Sequence, residues 1–177
     1  MIDLCSKLPD SLIVGGQPYK VYTDYRVWVR VFRKLKEGAA LYETAFIFPH
    51  IIPQQDWSEP MIEFYASENP TPHGGRTVEN VYDFDADSDY IYASFLAAYG
   101  IDLVDVDMHW HKFMALFRSL PEWTKMSQIM GHRSYRKSND KTDEAMSKAR
   151  QIWSLPEIEK DNPWKTVFPG CDWGQNG

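Results

Sequence analysis

Residues Tyr82 to Leu120 read YDFDADSDYIYASFLAAYGIDLVDVDMHWHKFMALFRSL, and this stretch decides the fold. Asp87 or Ser88 is suited to cap a helix start, because its side-chain oxygen accepts from free backbone N–H groups. Ile91, Phe95 and Tyr99 then share one helix face, widened by Tyr92 and Leu96, and Gly100 supplies the left-handed residue that closes it. A second helix is expected from about Asp102. Its stripe is Val106, Trp110, Phe113, Phe117 and Leu120, spaced alternately at four and three residues. With so short a connection, the two helices are expected to pack as an antiparallel or steeply crossed hairpin.

Toward the N-terminus, Ser11 to Val14 and Tyr19 to Tyr22 are β-prone runs around Gly15-Gly16, the signature of a tight hairpin. Asp24 is placed to cap a helix whose apolar face is Tyr25, Trp28, Phe32 and Leu35, with Lys34 and Lys36 near its C-terminus. The alternation of Val27, Val29 and Val31 offers a rival strand reading. Ala39 to Phe48 predicts a short helix stopped by Pro49, and Ser58 to Ala66 a third, capped by Ser58 with Pro60 in its first turn. Glu68 to Asn80, with its Pro and Gly residues, reads as an irregular loop.

Toward the C-terminus, helices are expected over Pro121 to Met130 and Asp140 to Trp153, the latter with Glu144 and Lys148 four apart. His132 to Lys137 reads as a solvated basic loop. From Ser154 onward, recurrent Pro and Gly predict an irregular tail that still carries Trp164, Phe168 and Trp173. The fold class is therefore mainly α: a helical core domain over 1–137 with a small N-terminal β-hairpin, then 138–177 as a helix plus an aromatic-containing tail.

Composition narrows the function classes. A net charge of -6 opposes general nucleic-acid binding, which depends on neutralising phosphates. No apolar run approaches a membrane span, and no signal-like segment follows Met1, so the chain is expected to remain where it is made. Cys5 and Cys171 form no CxxC pair, which argues for reduced thiols. Aromatic residues make up 15% of the chain, a supply of large rings that serves either a core or an interface.

The candidate chemistries have structural alternatives. Asp83, Asp85, Asp87 and Asp89 alternate as in a calcium loop, but the positions needing Gly and Glu hold Ser88 and Ser94. An acidic helix start, favoured by the macrodipole, explains them better. His109 and His111 suggest a metal pair with His132 as a third ligand, yet residues two apart on a helix point to different sides. Local pairs Asp105–His109 and Asp107–His111 are the simpler expectation. No G-x-S-x-G, Walker or G-x-G-x-x-G motif is present, so no catalytic residue, metal or cofactor is expected.

Several of these residues also carry a resemblance. Leu8-Pro9, Gly15-Gly16, Tyr19, Val21 and Asp24-Tyr25-Arg26, then Tyr82-Asp83-Phe84, Asp89-Tyr90-Ile91-Tyr92-Ala93, Tyr99-Gly100-Ile101-Asp102-Leu103 and His109-Trp110, resemble the bacteriophage gene-product-fifteen family in order and spacing. The family belongs to the tail genes of long-tailed phages and prophages of Gram-positive bacteria. The resemblance implies a helical, self-associating tail assembly chaperone that binds the tape measure protein in the host cytoplasm and is absent from the mature virion. The family pattern has an aromatic residue where this chain has His111, which supplies a titratable ring instead. Partner contacts are expected at Met108, Trp110, His111, Met114, Trp164, Phe168 and Trp173, since Met and large rings suit adaptable interfaces. The alternatives are a small metal-dependent enzyme using His109 and His111, or a phage protein engaging a host factor through its aromatic tail.

Overall fold

A computed structural model describes residues 5–66, 81–135 and 143–155. The chain is mainly helical, with six α-helices, one 3-10 helix and a two-stranded hairpin among the described residues. These residues fall into two compact units, each built from separate stretches of sequence.

The first unit contains residues 5–66 and Asp107–Arg118. Its hairpin pairs β1 (Ser11–Val14) with β2 (Gln17–Lys20) antiparallel. Gly15 and Gly16 have φ of 56° and 78°, which fits a two-residue turn whose twist suits a hairpin. Val14 therefore faces Gln17 directly, so β2 begins two residues before its aromatic run. α1 (Tyr25–Lys36) settles the helix-or-strand question for this stretch. The Asp24 carboxylate accepts from the Arg26 N–H, and Tyr25, Trp28, Val31, Phe32 and Leu35 are buried along one side.

Two expected helices are refined. Leu41–Ile47 is a 3-10 helix, not an α-helix. The Thr44 hydroxyl donates to the Leu41 carbonyl and the Glu43 carboxylate accepts from the Ala40 N–H, while Pro49 holds Phe48 extended. α2 (Ser58–Ala66) has the expected bounds, but Asp56 supplies the side-chain acceptor. Its carboxylate takes the Ser58 N–H at 2.8 Å, and that bond, with the Ser58 hydroxyl, holds the Asp56 pKa below its ordinary value. The last helix of this unit is α4 (Trp110–Arg118).

The second unit contains α3 (Ser88–Tyr99), α5 (Lys125–Ser134) and α6 (Asp143–Ile152), with α5 packed against both of the others. Gly100 closes α3 at φ 66°, its N–H donating to the Leu96 carbonyl. Asp87 precedes α3 but makes no side-chain cap on it. Asp83 organises that turn instead, accepting from the N–H groups of Asp85 and Ala86. α5 starts later than expected because Thr124 is the residue that caps it, accepting from Ser127. The division expected at 137/138 lies outside the described residues.

The second of the two central helices is shorter than expected. α3 and α4 lie in different units, and the stripe starting at Asp102 becomes helical only at Trp110. Asp102 is the cause. Its carboxylate accepts from the Val104 N–H and the Tyr92 hydroxyl, fixing a turn where the helix would have run. The expectations for Glu68 to Asn80 and for the tail beyond Leu155 lie outside the described residues, apart from Ser154 and Leu155 themselves.

Candidate functional site

α1 and α4 begin at a single point of backbone pairing. Asp24 and His109 form an antiparallel bridge in which the Tyr25 N–H donates to the Met108 carbonyl and the Trp110 N–H to the Thr23 carbonyl. This fixes the direction in which Trp110 enters the first unit. Its indole is fully buried, 5.0 Å from the Tyr65 ring, 5.8 Å from Phe113 and 6.5 Å from Trp28. Trp28 stacks on Phe64 at 4.4 Å and Phe113 on Tyr25 at 4.7 Å, so rings from three helices form one continuous layer.

The same helix caps another. The last carbonyls of a helix have no intrahelical donor. Here α4 supplies three in succession to the end of α2. The His111 Nε2–H donates to the Phe64 carbonyl at 2.7 Å, the Trp110 Nε1–H to Tyr65 at 2.8 Å, and the Arg118 guanidinium to Ala66 at 3.1 Å. Each net bond of this kind contributes about 1 kcal/mol, and more is lost if a buried carbonyl is left without a donor.

His109 and His111 are therefore engaged with backbone. His109 Nε2 donates to the Pro9 carbonyl at 2.9 Å, and its Nδ1 accepts from the His111 N–H at 3.1 Å. The expected Asp105–His109 and Asp107–His111 pairs are corrected, because residues 105–108 are not helical and the four-residue spacing has no geometric meaning there. Asp107 instead meets Arg26 at 3.5 Å. Among the described residues, no three His, Cys, Asp or Glu side chains are grouped so as to hold a metal ion.

Burial pushes the His111 pKa below its ordinary value, the Phe64 carbonyl acts in the opposite sense, and the His109 ring and Arg118 reinforce the lowering. A histidine with a lowered folded-state pKa contributes stability that is fully present above its unfolded pKa, about 6.5, and lost as pH falls below it. The urea midpoint of the protein is thus expected to fall between pH 7.5 and 5.5, with a shallower decline in His111→Phe. Equal slopes in the two proteins would remove His111 as the source.

Of the residues expected to contact a partner, Met108, Trp110, His111 and Met114 are all buried in the first unit, whereas Trp164, Phe168 and Trp173 lie outside the described residues. The large apolar side chains that are exposed include Tyr42, Ile51, Leu96, Val104 and Trp123.

The second unit has a buried ion pair that the sequence concealed. Arg133 lies in the run read as a solvated loop, yet it is only 8% exposed and sits in the last turn of α5. Its guanidinium grips both oxygens of Asp87, at 2.5 and 2.9 Å, and also donates to the carbonyls of Val81 and Trp153. Trp153 is held further by the Lys125 ammonium, 4.6 Å from its ring centre, and by the edge of Tyr90. One side chain thus joins the approach to α3, the end of α5 and the end of α6.

No helix among the described residues is long and apolar enough to cross a membrane. In comparisons with known proteins, a family model described as Bacteriophage Gp15 protein matches residues 4–155. No curated protein and no solved structure matches the chain.

Proposed function

The chain belongs to the bacteriophage Gp15 protein family, and from that premise we propose that it is a tail assembly chaperone. In this reading it binds the tape measure protein in the host cytoplasm, keeps it soluble while the tail tube assembles, and leaves before the virion is complete. It self-associates and carries out no chemistry of its own. Family membership is the observation that carries the reading.

Two features support it. A holdase needs apolar surface for its client together with enough net charge to stay dispersed. The chain combines exposed Tyr42, Ile51, Leu96, Val104 and Trp123 with a net charge of -6. Met108, Trp110, His111 and Met114 then serve the function from the core, where Trp110 and His111 tie α4 to the end of α2. Trp164, Phe168 and Trp173 are proposed as further client contacts.

Co-expression with the tape measure protein of the same phage tests the reading. The two are expected to co-purify, with the tape measure largely insoluble when expressed alone. A tape measure equally soluble and stable without this protein would sink the proposal.

A further inference from the structure

α3 has almost no polar side. Its sequence is SDYIYASFLAAY, and after Asp89 no charged residue follows until Asp102. A helix that is apolar all round is normally buried all round. Among the described residues the cover of α3 falls on one side, where Ile91, Ser94 and Phe95 are buried and the Ser94 hydroxyl accepts from the Met126 N–H of α5. Ala93, Leu96 and Ala97 are exposed, Leu96 at 44%.

The apolar surface continues past the helix end. Tyr92 lies one turn before Leu96, and its hydroxyl donates to the Asp102 carboxylate, which holds the following turn beside α3. That turn presents Val104, 72% exposed. Carboxylates stand at the two ends of this strip: Asp89 in the first turn of α3 and Asp105 next to Val104, both exposed.

We propose that the exposed side of α3, with Leu96 and Val104 at its centre, docks an apolar helical segment of the client that carries Lys or Arg at both ends of its apolar stripe. The proposal rests on the chaperone reading and specifies the client segment. From Asp89 to Gly100 the strip runs roughly 16 Å, the length of three helical turns. That suits a helix presenting anchors at i, i+3, i+4 and i+7. The framing acids select its charge, since like charges across an interface are repelled and opposite ones steer encounter. The same acids disfavour a second copy placed symmetrically, which would set Asp89 and Asp105 against their own kind.

The test uses the full chain and two synthetic amphipathic helices of identical Leu/Ala stripe, one ended by Lys pairs and one by Glu pairs. Fluorescence anisotropy is expected to show tighter binding of the Lys-ended peptide, weakened roughly tenfold or more by Leu96→Glu and by Val104→Glu. The double variant Asp89→Lys, Asp105→Lys is expected to prefer the Glu-ended peptide. Both apolar variants change exposed side chains, and unchanged thermal unfolding verifies that they fold. Equal binding of the two peptides, or binding indifferent to both apolar variants, overturns the docking site. So does a change of oligomeric state in Leu96→Glu without loss of peptide, which would mark an interface between copies. If the tape measure co-purifies with Leu96→Glu as well as with the unchanged chain, the docking site fails and the chaperone reading stands. If the unchanged chain binds the Lys-ended peptide but never the tape measure, the reverse holds.

Discussion

Trp110→Ala is expected to destabilise the protein by about 3–5 kcal/mol, the range for removing a fully buried large ring. The indole is the centre of the ring layer, touching Trp28, Tyr65 and Phe113, so its loss opens a cavity bordered by rigid rings that collapse poorly. It also removes the donor to the Tyr65 carbonyl at the end of α2. Trp110→Phe separates the two contributions. The phenyl ring keeps much of the packing while the carbonyl loses its partner, which costs about 1–3 kcal/mol. Urea unfolding monitored at several wavelengths measures both. A loss below about 1 kcal/mol for the alanine variant would contradict the burial of this ring.

Arg133→Leu is expected to have a comparable effect by a different route. Removing one member of a buried ion pair leaves the other charge without compensation, at a cost of about 3–5 kcal/mol. Asp87 would keep the Asp83 N–H, 2.8 Å from its carboxylate, but lose the guanidinium, and the carbonyls of Val81 and Trp153 would each lose a donor. For that reason the apolar double variant Asp87→Leu, Arg133→Leu is not expected to recover full stability, unlike a pair that bonds only to itself. Arg133→Lys retains the charge but lacks the planar fork that spans both carboxylate oxygens, so it should fall between. Hydrogen exchange across residues 143–153 provides the local readout. Exchange there should accelerate in Arg133→Leu more than across α3. Uniform acceleration would show that Arg133 acts on the whole unit and not as the clasp of α6.

The elements that were legible in the sequence are those whose cause is local. Asp24 caps α1, Gly15-Gly16 turns the hairpin, and Gly100 ends α3, because each is decided by one residue's own backbone or oxygen. The turn at Asp102 was less visible, since a helical stripe runs straight through it and only the hydroxyl of Tyr92, ten residues back, completes the bonding. Arg133 was hidden for the same reason in stronger form. Its neighbours are basic and polar, and the carboxylate that draws it inward lies 46 positions away. The one local hint was that Asp87 stood at a helix start without being needed there, once Asp83 had taken over the turn. Met108 and Met114 illustrate a limit of residue type as a guide: a thioether suits an adaptable interface and an irregular core equally well.

The bridge between Asp24 and His109 has a consequence for the order in which the molecule comes into being. A nascent chain emerging from the ribosome exposes Trp28 and Phe64 long before Trp110 is made. Those rings, and the three terminal carbonyls of α2, wait for a segment that lies beyond α3 in the chain. Contacts across such separations close slowly, and the exposed rings are vulnerable meanwhile. An N-terminal fragment that stops at 106 would carry α1 and α2 without the element that seals them, so the half of the molecule that is translated first is completed only by residues from its middle.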